Sequence, residues 1–278
     1  MIIVSMGAGL GNQLFEYAFY TSLKLHYPEQ NVKLDTHYAF PLAHNGIEIF
    51  NIFNLEKQIA TKEEVLSLTR GHYLTGEGAN KGIIERIYRK LGLCPKQLLI
   101  QGCYTEYYDS FFSIPNDESK YCLGPFANYR YFYNYQDVVK RQYSFPVITE
   151  EKNLKYVNSI VSCNSVSIHI RRGDYLTENV NIVPLEYYYD AIRYIDERID
   201  KAHYFIFSDD KLYAEKQFPD SDKYTIVTGN EGMDSYRDMQ LMSMCKHNII
   251  TNSTFSFWAA YLNSNDKKIV IGLWFEAG

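Results

Sequence analysis

From residue 165 onward the chain repeats one motif that few folds can accommodate. SVSIHI is followed by PLEYYYDAIRYIDERI, HYFIFSDD by KLYAEKQF, KYTIVTG by MDSYRDMQLMSMC and HNIITN by STFSFWAAYL, and KKIVIGLWF closes the series. Short apolar runs of period 2 read as strands, and longer runs with apolar residues near helical spacing read as helices. Strands joined through helices are crossover units, which build a parallel sheet covered on both faces. The same unit opens the chain, as IIVSM, the turn GAGLG, the helical NQLFEYAFYTSLKLHY, and the strand NVKLD ending at Asp35. The expected fold class is α/β, with two α/β domains and a cleft between them.

The intervening region is less patterned. KEEVLSL and KGIIERIYRKLG predict helices and QLLIQGCY a strand, whereas the aromatic segment 104–135 follows no period. SFPVITEEKN, with Pro146 and a charged stretch, interrupts the pattern. It sets the expected division into an N-terminal domain over 1–150 and a C-terminal domain over 151–278. A chain of 278 residues has room for two such domains. A net charge of −5 argues against a broad nucleic-acid surface, so any anion site must be local. The 26 tyrosines and 16 phenylalanines suit sugar-binding surfaces, although most of them must serve the core. MIIVSM carries no basic leader and no run of 18 apolar residues occurs, so neither a signal peptide nor a transmembrane segment is expected. The five cysteines show no CxxC pair and no zinc spacing, which predicts no metal site and a cytoplasmic home, with peripheral contact at the inner face of the membrane left open.

Polar residues collect where the strands of the second half end: HIRRGDY at 169–175, Ser208-Asp209-Asp210, Thr228-Gly229-Asn230 and Asn252-Ser253-Thr254. Open α/β sheets bind ligands at the carboxyl ends of their strands. Arg171 and Arg172 can converge on one anion only if the strand stops before them, and Gly173 offers a stop through its tolerance of unusual backbone angles. Two guanidinium forks suit a diphosphate; the plainer reading is a surface turn with Asp174 as a local partner. Ser253 or Thr254 sits where an N-cap belongs, and a helix N-terminus also offers amides to phosphate. Asp209 and Asp210 read either as an N-cap or as acceptors for the N1 and N2 hydrogens of guanine. GAGLGNQ resembles a dinucleotide fingerprint, but its third glycine position holds Asn12 and Asp35 lies late for a ribose contact. Gly9, Gly11 and Asn12 therefore form a loop shaped for close backbone approach, with an NAD(P)-dependent oxidoreductase as the alternative reading. A non-catalytic glycan-binding protein is the least favoured, since it leaves the paired arginines without a role.

MGAGLGNQLFEYA, HIRRGDY, FSDD and LMSMCKHNIITNSTFSFWAAYL, in this order across nearly the whole chain, resemble the α-1,2-fucosyltransferases of glycosyltransferase family 11. QGCYTEYYDSFF at 101–112 departs from the QGYxQSxKYF-like form of that family. The resemblance implies a GT-B-type enzyme, with two Rossmann-like domains facing the cleft, that needs no metal and no cofactor. It would take L-fucose from GDP-fucose to the 2-hydroxyl of a galactose-terminated acceptor glycan, with inversion. It further implies that Arg171 and Arg172 bind the donor diphosphate and that His169 lies beside the nucleotide. Asp209 or Asp210 would read guanine, Asn252, Ser253 and Thr254 would approach phosphate, and Asn12 would reach the donor. For the base that takes the acceptor proton, Asp174 and Glu178 follow the arginines closely enough to serve, and His169 is a third candidate.

Overall fold

A computed structural model describes residues 1–38, 45–75, 82–176 and 182–273. The chain divides into two compact units, Met1–Ser144 and Phe145–Gly278. The division falls after the first residue of SFPVITEEKN because Arg237, 5% exposed, holds the rest of that stretch in the second unit. Its guanidinium donates to the Pro146 carbonyl at 3.0 Å and to Glu150 at 2.8 Å.

The first unit comprises β1 (Ile2–Ser5), α1 (Leu10–His26), β2 (Val32–Asp35), α2 (Ile49–Ile52), α3 (Lys62–Thr69), α4 (Ile83–Lys90), β3 (Leu98–Ile100), β4 (Lys120–Leu123) and α5 (Gln136–Gln142). Its sheet is parallel, in the order β2-β1-β4-β3. The period-free segment 104–135 contains β4 and three 3-10 turns at Asp109–Phe112, Tyr129–Tyr131 and Tyr133–Tyr135. Its rings pack where no helical or strand period would place them, with Phe19 of α1 stacked on Phe126 at 4.1 Å and set edge-on to Phe111 at 5.4 Å. Asp35, weighed above as a ribose ligand, is fully buried and accepts from the Tyr121 hydroxyl at 2.7 Å and the His37 amide at 2.8 Å. It fastens β2 to β4.

The second unit comprises α6 (Glu151–Ser162), β5 (Asn164–Ile170), α7 (Leu185–Asp196), β6 (Ala202–Ser208), α8 (Lys211–Gln217), β7 (Tyr224–Ile226), α9 (Tyr236–Met244), β8 (His247–Ile249), α10 (Thr254–Leu262) and β9 (Val270–Ile271). All its strand pairs are parallel, in the order β7-β6-β5-β8-β9. The alternation in β5 sorts residues between two buried faces rather than between core and water. Val166, Ile168 and Ile170 enter an apolar core with Ile192 and Ile195 of α7 and Ala214 of α8. Ser167 and His169 face the other way and are also buried. Their burial is tolerated because each has a polar partner, Ser167 accepting from Asn248 Nδ2 at 2.8 Å and His169 meeting Thr251 Oγ1 at 3.4 Å.

Candidate active site

Counted in chain order, the strands of the second unit run 3-2-1-4-5, so successive connections leave in opposite directions from β5 and β8. The crevice beyond the carboxyl ends of two such strands is the usual ligand position in an open α/β sheet. HIRRGDY leaves the end of β5 and Asn252-Ser253-Thr254 follows the end of β8. Both motifs singled out in the sequence therefore flank this one switch point, and the Tyr175 hydroxyl ties them together by donating to the Asn252 carbonyl at 3.1 Å.

Strand register then decides the arginines' partners. β5 pairs with β6 so that Ile170 stands opposite Ser208, and the residues that follow continue that correspondence. Arg171 Nη1 lies 3.0 Å from Asp209 Oδ2, and Arg172 Nε lies 3.3 Å from Asp210 Oδ2. The Arg172 amide also donates to Asp209 Oδ1 at 2.9 Å. Asp174 is thus not needed as the local partner of either arginine; its backbone opens a 3-10 turn at Asp174–Leu176, while its side chain and Glu178 lie outside the described residues. Two aromatic plates support the guanidiniums, Tyr213 with Arg172 at 3.8 Å and Tyr175 with Arg171 at 5.7 Å. Neither tyrosine was selected from sequence, although Tyr175 closes the HIRRGDY motif itself.

Gly173 serves a different purpose from the one expected. It does not adopt a left-handed conformation; a Cβ there would stand 3.1 Å from Asp209 Oδ2 and 3.3 Å from its Cγ. A side chain here would crowd the carboxylate that receives Arg171, which lies against the chain at this point. Asp210 takes the N-cap role considered for it, Oδ1 capping α8 by accepting from the Tyr213 amide at 3.0 Å, while Oδ2 pairs with Arg172. Ser253 occupies the N-cap position of α10 without a side-chain capping bond, so capping does not explain the serine.

His169 is buried, with its ring 5.7 Å from that of Phe255. Burial, helped by the nearby Arg171 charge, depresses its pKa to about 3, so the imidazole is neutral at any working pH. It suits a neutral hydrogen-bonding role more than proton storage. Thr228-Gly229-Asn230, the third polar strand end, turns to structural use. The Lys152 ammonium donates to the Gly229 carbonyl, and Asn230 exchanges two amide hydrogen bonds of 3.0 Å with Asn153 of α6.

Asn230 also donates to Asp238 of α9 at 2.8 Å, and burial raises that carboxyl to about 7 against the pull of this bond and of Lys211 and Lys152. A carboxyl whose folded pKa exceeds its unfolded value of 3.8 keeps its proton in the fold after the unfolded chain has released it. Stability therefore falls as pH rises from about 4 to about 7, and the penalty is complete above that. Asp238→Asn, which keeps the acceptor for Asn230, is expected to match the parent near pH 4 and to gain on it up to pH 7, by on the order of 4 kcal/mol for a carboxyl raised from 3.8 to about 7. Melting temperatures across this range test it; a gain independent of pH would contradict the assignment.

In the first unit, the GAGLG loop follows β1, and the residue in the left-handed region is Ala8 (φ 57°), not a glycine. Gly9 is the extended N-cap of α1 and Gly11 lies buried in its first turn. Asn12 accepts from the Tyr104 hydroxyl, which joins the loop to the 101–112 segment. Sequence reasoning missed the two neighbours that hold this loop. Buried Gln13 donates to the Ala8 and Gly46 carbonyls, each at 2.8 Å, and accepts from the Glu48 and Ile49 amides at 2.9 and 3.2 Å. Buried Glu16 accepts from the Gly7 amide at 2.8 Å, and its desolvation raises the carboxyl well above the usual range.

Residues 1–276 match the sequence model of Glycosyl transferase family 11. The chain is 31% identical to an alpha-1,2-colitosyltransferase of Escherichia coli, over 99% of this chain and 93% of that protein. It is 29% identical to the O-antigen biosynthesis glycosyltransferase WbnK of Escherichia coli, over 96% and 91%. It is 30% identical to the galactoside 2-alpha-L-fucosyltransferase SEC1 of Bos taurus, over 38% of this chain and 30% of that protein. Among solved structures, the fucosyltransferase NodZ from Bradyrhizobium superposes with a TM-score of 0.50 at 14% identity, covering 93% and 92% of the two chains. POFUT1 in complex with GDP-fucose gives 0.51 at 11%, covering 98% and 97%. At such identities the structural likeness is one of fold, the GT-B type with two Rossmann-like units. A nicotinamide-dependent oxidoreductase finds no support in these matches.

Proposed function

The chain belongs to glycosyl transferase family 11, and from that premise we propose that it transfers L-fucose from GDP-fucose to the 2-hydroxyl of a terminal β-galactoside, on an oligosaccharide or an O-antigen. The observation that carries the reading is the pair of arginines at the β5/β8 switch point, each set against an aspartate by strand register. In this reading the second unit binds the donor and the first serves the acceptor.

Transfer breaks the bond between C1 of the sugar and the β-phosphate oxygen as the acceptor hydroxyl arrives at the opposite face of C1, which inverts the anomeric centre. Negative charge grows on the departing GDP and positive charge on the sugar ring. A guanidinium held at the β-phosphate gains strength as that charge develops, so it stabilises the transition state more than the bound substrate. Arg171 is the residue assigned to this task, with Arg172, Ser253 and Thr254 completing the diphosphate site. Each oxygen of Asp209 and Asp210 already accepts from the protein, so either carboxylate would read guanine with a second lone pair of an engaged oxygen. The acceptor proton passes to a carboxylate, Asp174 or Glu178, and no metal ion takes part.

The similarity to a colitosyltransferase over 99% of the chain favours one second reading, in which the donor sugar is colitose, the 3-deoxy analogue of fucose. Purified protein incubated with lactose and either GDP-fucose or GDP-colitose, with and without EDTA, separates the two. With GDP-fucose the expected product carries an α-fucose on O2 of galactose, seen by NMR, in equal yield with the chelator. Transfer from GDP-colitose alone would select the second reading. No transfer from either donor to any galactoside, together with no binding of GDP, would overturn both.

A further inference from the structure

Helix α4 is attached to the first unit with its amphipathic character inverted. Its buried residue is Glu85, which accepts from His72 Nδ1 at 2.8 Å, from the Tyr73 amide at 3.1 Å and from Arg89 Nε at 2.6 Å. The Tyr88 ring stacks on His72 at 4.0 Å, and Arg89 lies over the Tyr73 ring at 5.2 Å. The polar side of the helix is therefore the side held down. At about 100° per residue, Ile83, Ile87, Leu91 and Ile84 fall within one arc of roughly 100° on the opposite side. They are 75%, 47%, 64% and 65% exposed, and Leu93, 49% exposed, extends the patch. A helix packed against a core in water shows the reverse arrangement, with its apolar stripe covered.

The charge around this patch runs against that of the chain. The chain carries a net −5, yet between Ile83 and Lys96 the only acid is Glu85, already paired, against Arg86, Arg89, Lys90 and Lys96. Arg86 and Lys90 border the apolar arc, and both are exposed. Exposed isoleucines rimmed by cations match a bilayer interface, where apolar side chains enter the acyl boundary and cations meet anionic headgroups. A second copy of the chain is a poorer occupant, because apposing two such faces would bring like charges together. We propose that α4 and the turn after it form a docking surface for an anionic lipid bilayer. The assignment is independent of which sugar the enzyme transfers.

The test is co-sedimentation of the full chain with vesicles rich in phosphatidylglycerol and with vesicles of phosphatidylcholine alone. Binding to the anionic vesicles is expected, at least about tenfold weaker to the neutral ones, and weakened by salt. Ile84→Asp with Ile87→Asp should abolish it at an unchanged melting temperature, since both side chains face solvent. Arg86→Glu with Lys90→Glu should remove the preference for anionic lipid. Turnover on a soluble galactoside should stay the same in both double variants, which keeps failure of docking apart from failure of the active-site reading. Absence of wild-type binding to anionic vesicles, or full binding by the isoleucine variant, would overturn the proposal. So would a shift from dimer to monomer in that variant by light scattering, which would assign the face to self-association.

Discussion

Replacing Arg171 with alanine is expected to lower kcat for sugar transfer by about 10² to 10³, equivalent to roughly 2.7–4 kcal/mol in the barrier, the loss associated with one oxyanion donor. The two adjacent arginines should respond differently. Arg172 is bound into the scaffold by its amide on Asp209, its Nε on Asp210 and its stack on Tyr213. Its truncation should lower the melting temperature along with the rate. Arg171 reaches Asp209 from its guanidinium end, and Asp209 keeps the Arg172 amide when Arg171 is removed. Arg171→Ala should therefore fold normally and lose rate at saturating donor. Arg171→Lys retains the charge without the planar fork, so it should restore only part of that loss. A folded Arg171→Ala protein with wild-type kcat would remove the residue from the mechanism.

What was legible in the sequence depended on how local the cause was. The strands and helices from β5 onward follow from their own periodicity, and each expected element there has a counterpart in the structure, whereas α6 is not legible because its first turn lies in the charged stretch that interrupts the pattern. Strand β4 was invisible because KYCL is four residues without alternation, enclosed between Pro115 and Pro125. What makes it a strand is its place between β1 and β3, which no local pattern carries. The arginines could be read as an anion site from residue type and strand position. Their pairing with Asp209 and Asp210 could not, because it depends on Ile170 standing opposite Ser208 rather than a neighbouring residue. With that register known, RR after one strand and DD after the next become two matched ion pairs. Gly173 follows the same rule, since its reason is a carboxylate 36 residues away in sequence (209 − 173) rather than its own backbone angles.

The GLGNQ motif mixes both kinds of cause, and Gln13 separates them. Gln13→Ala is expected to destabilise the first unit by roughly 2–5 kcal/mol, because the amides of Glu48 and Ile49 lose their acceptor, and a stranded buried donor costs about 1–3 kcal/mol. Both residues are almost fully buried, at 2% and 0% exposed, so water cannot readily take the place of Gln13 Oε1. The opposite end of the side chain holds the Ala8 carbonyl, and Ala8 sits in the left-handed region that non-glycine residues avoid. Without that bond the loop has less reason to keep its turn, so activity should fall in whatever fraction remains folded. Gln13→Glu preserves size and the acceptor but points a carboxylate at the Ala8 and Gly46 carbonyls unless it is protonated. It should be less stable than the parent at neutral pH and recover in acid, where the protonated group can donate to one of them. Thermal unfolding at two pH values distinguishes these outcomes. If both variants melt with the parent, Gln13 does not brace the loop, and the glutamine of the motif would have to be explained by its ligand.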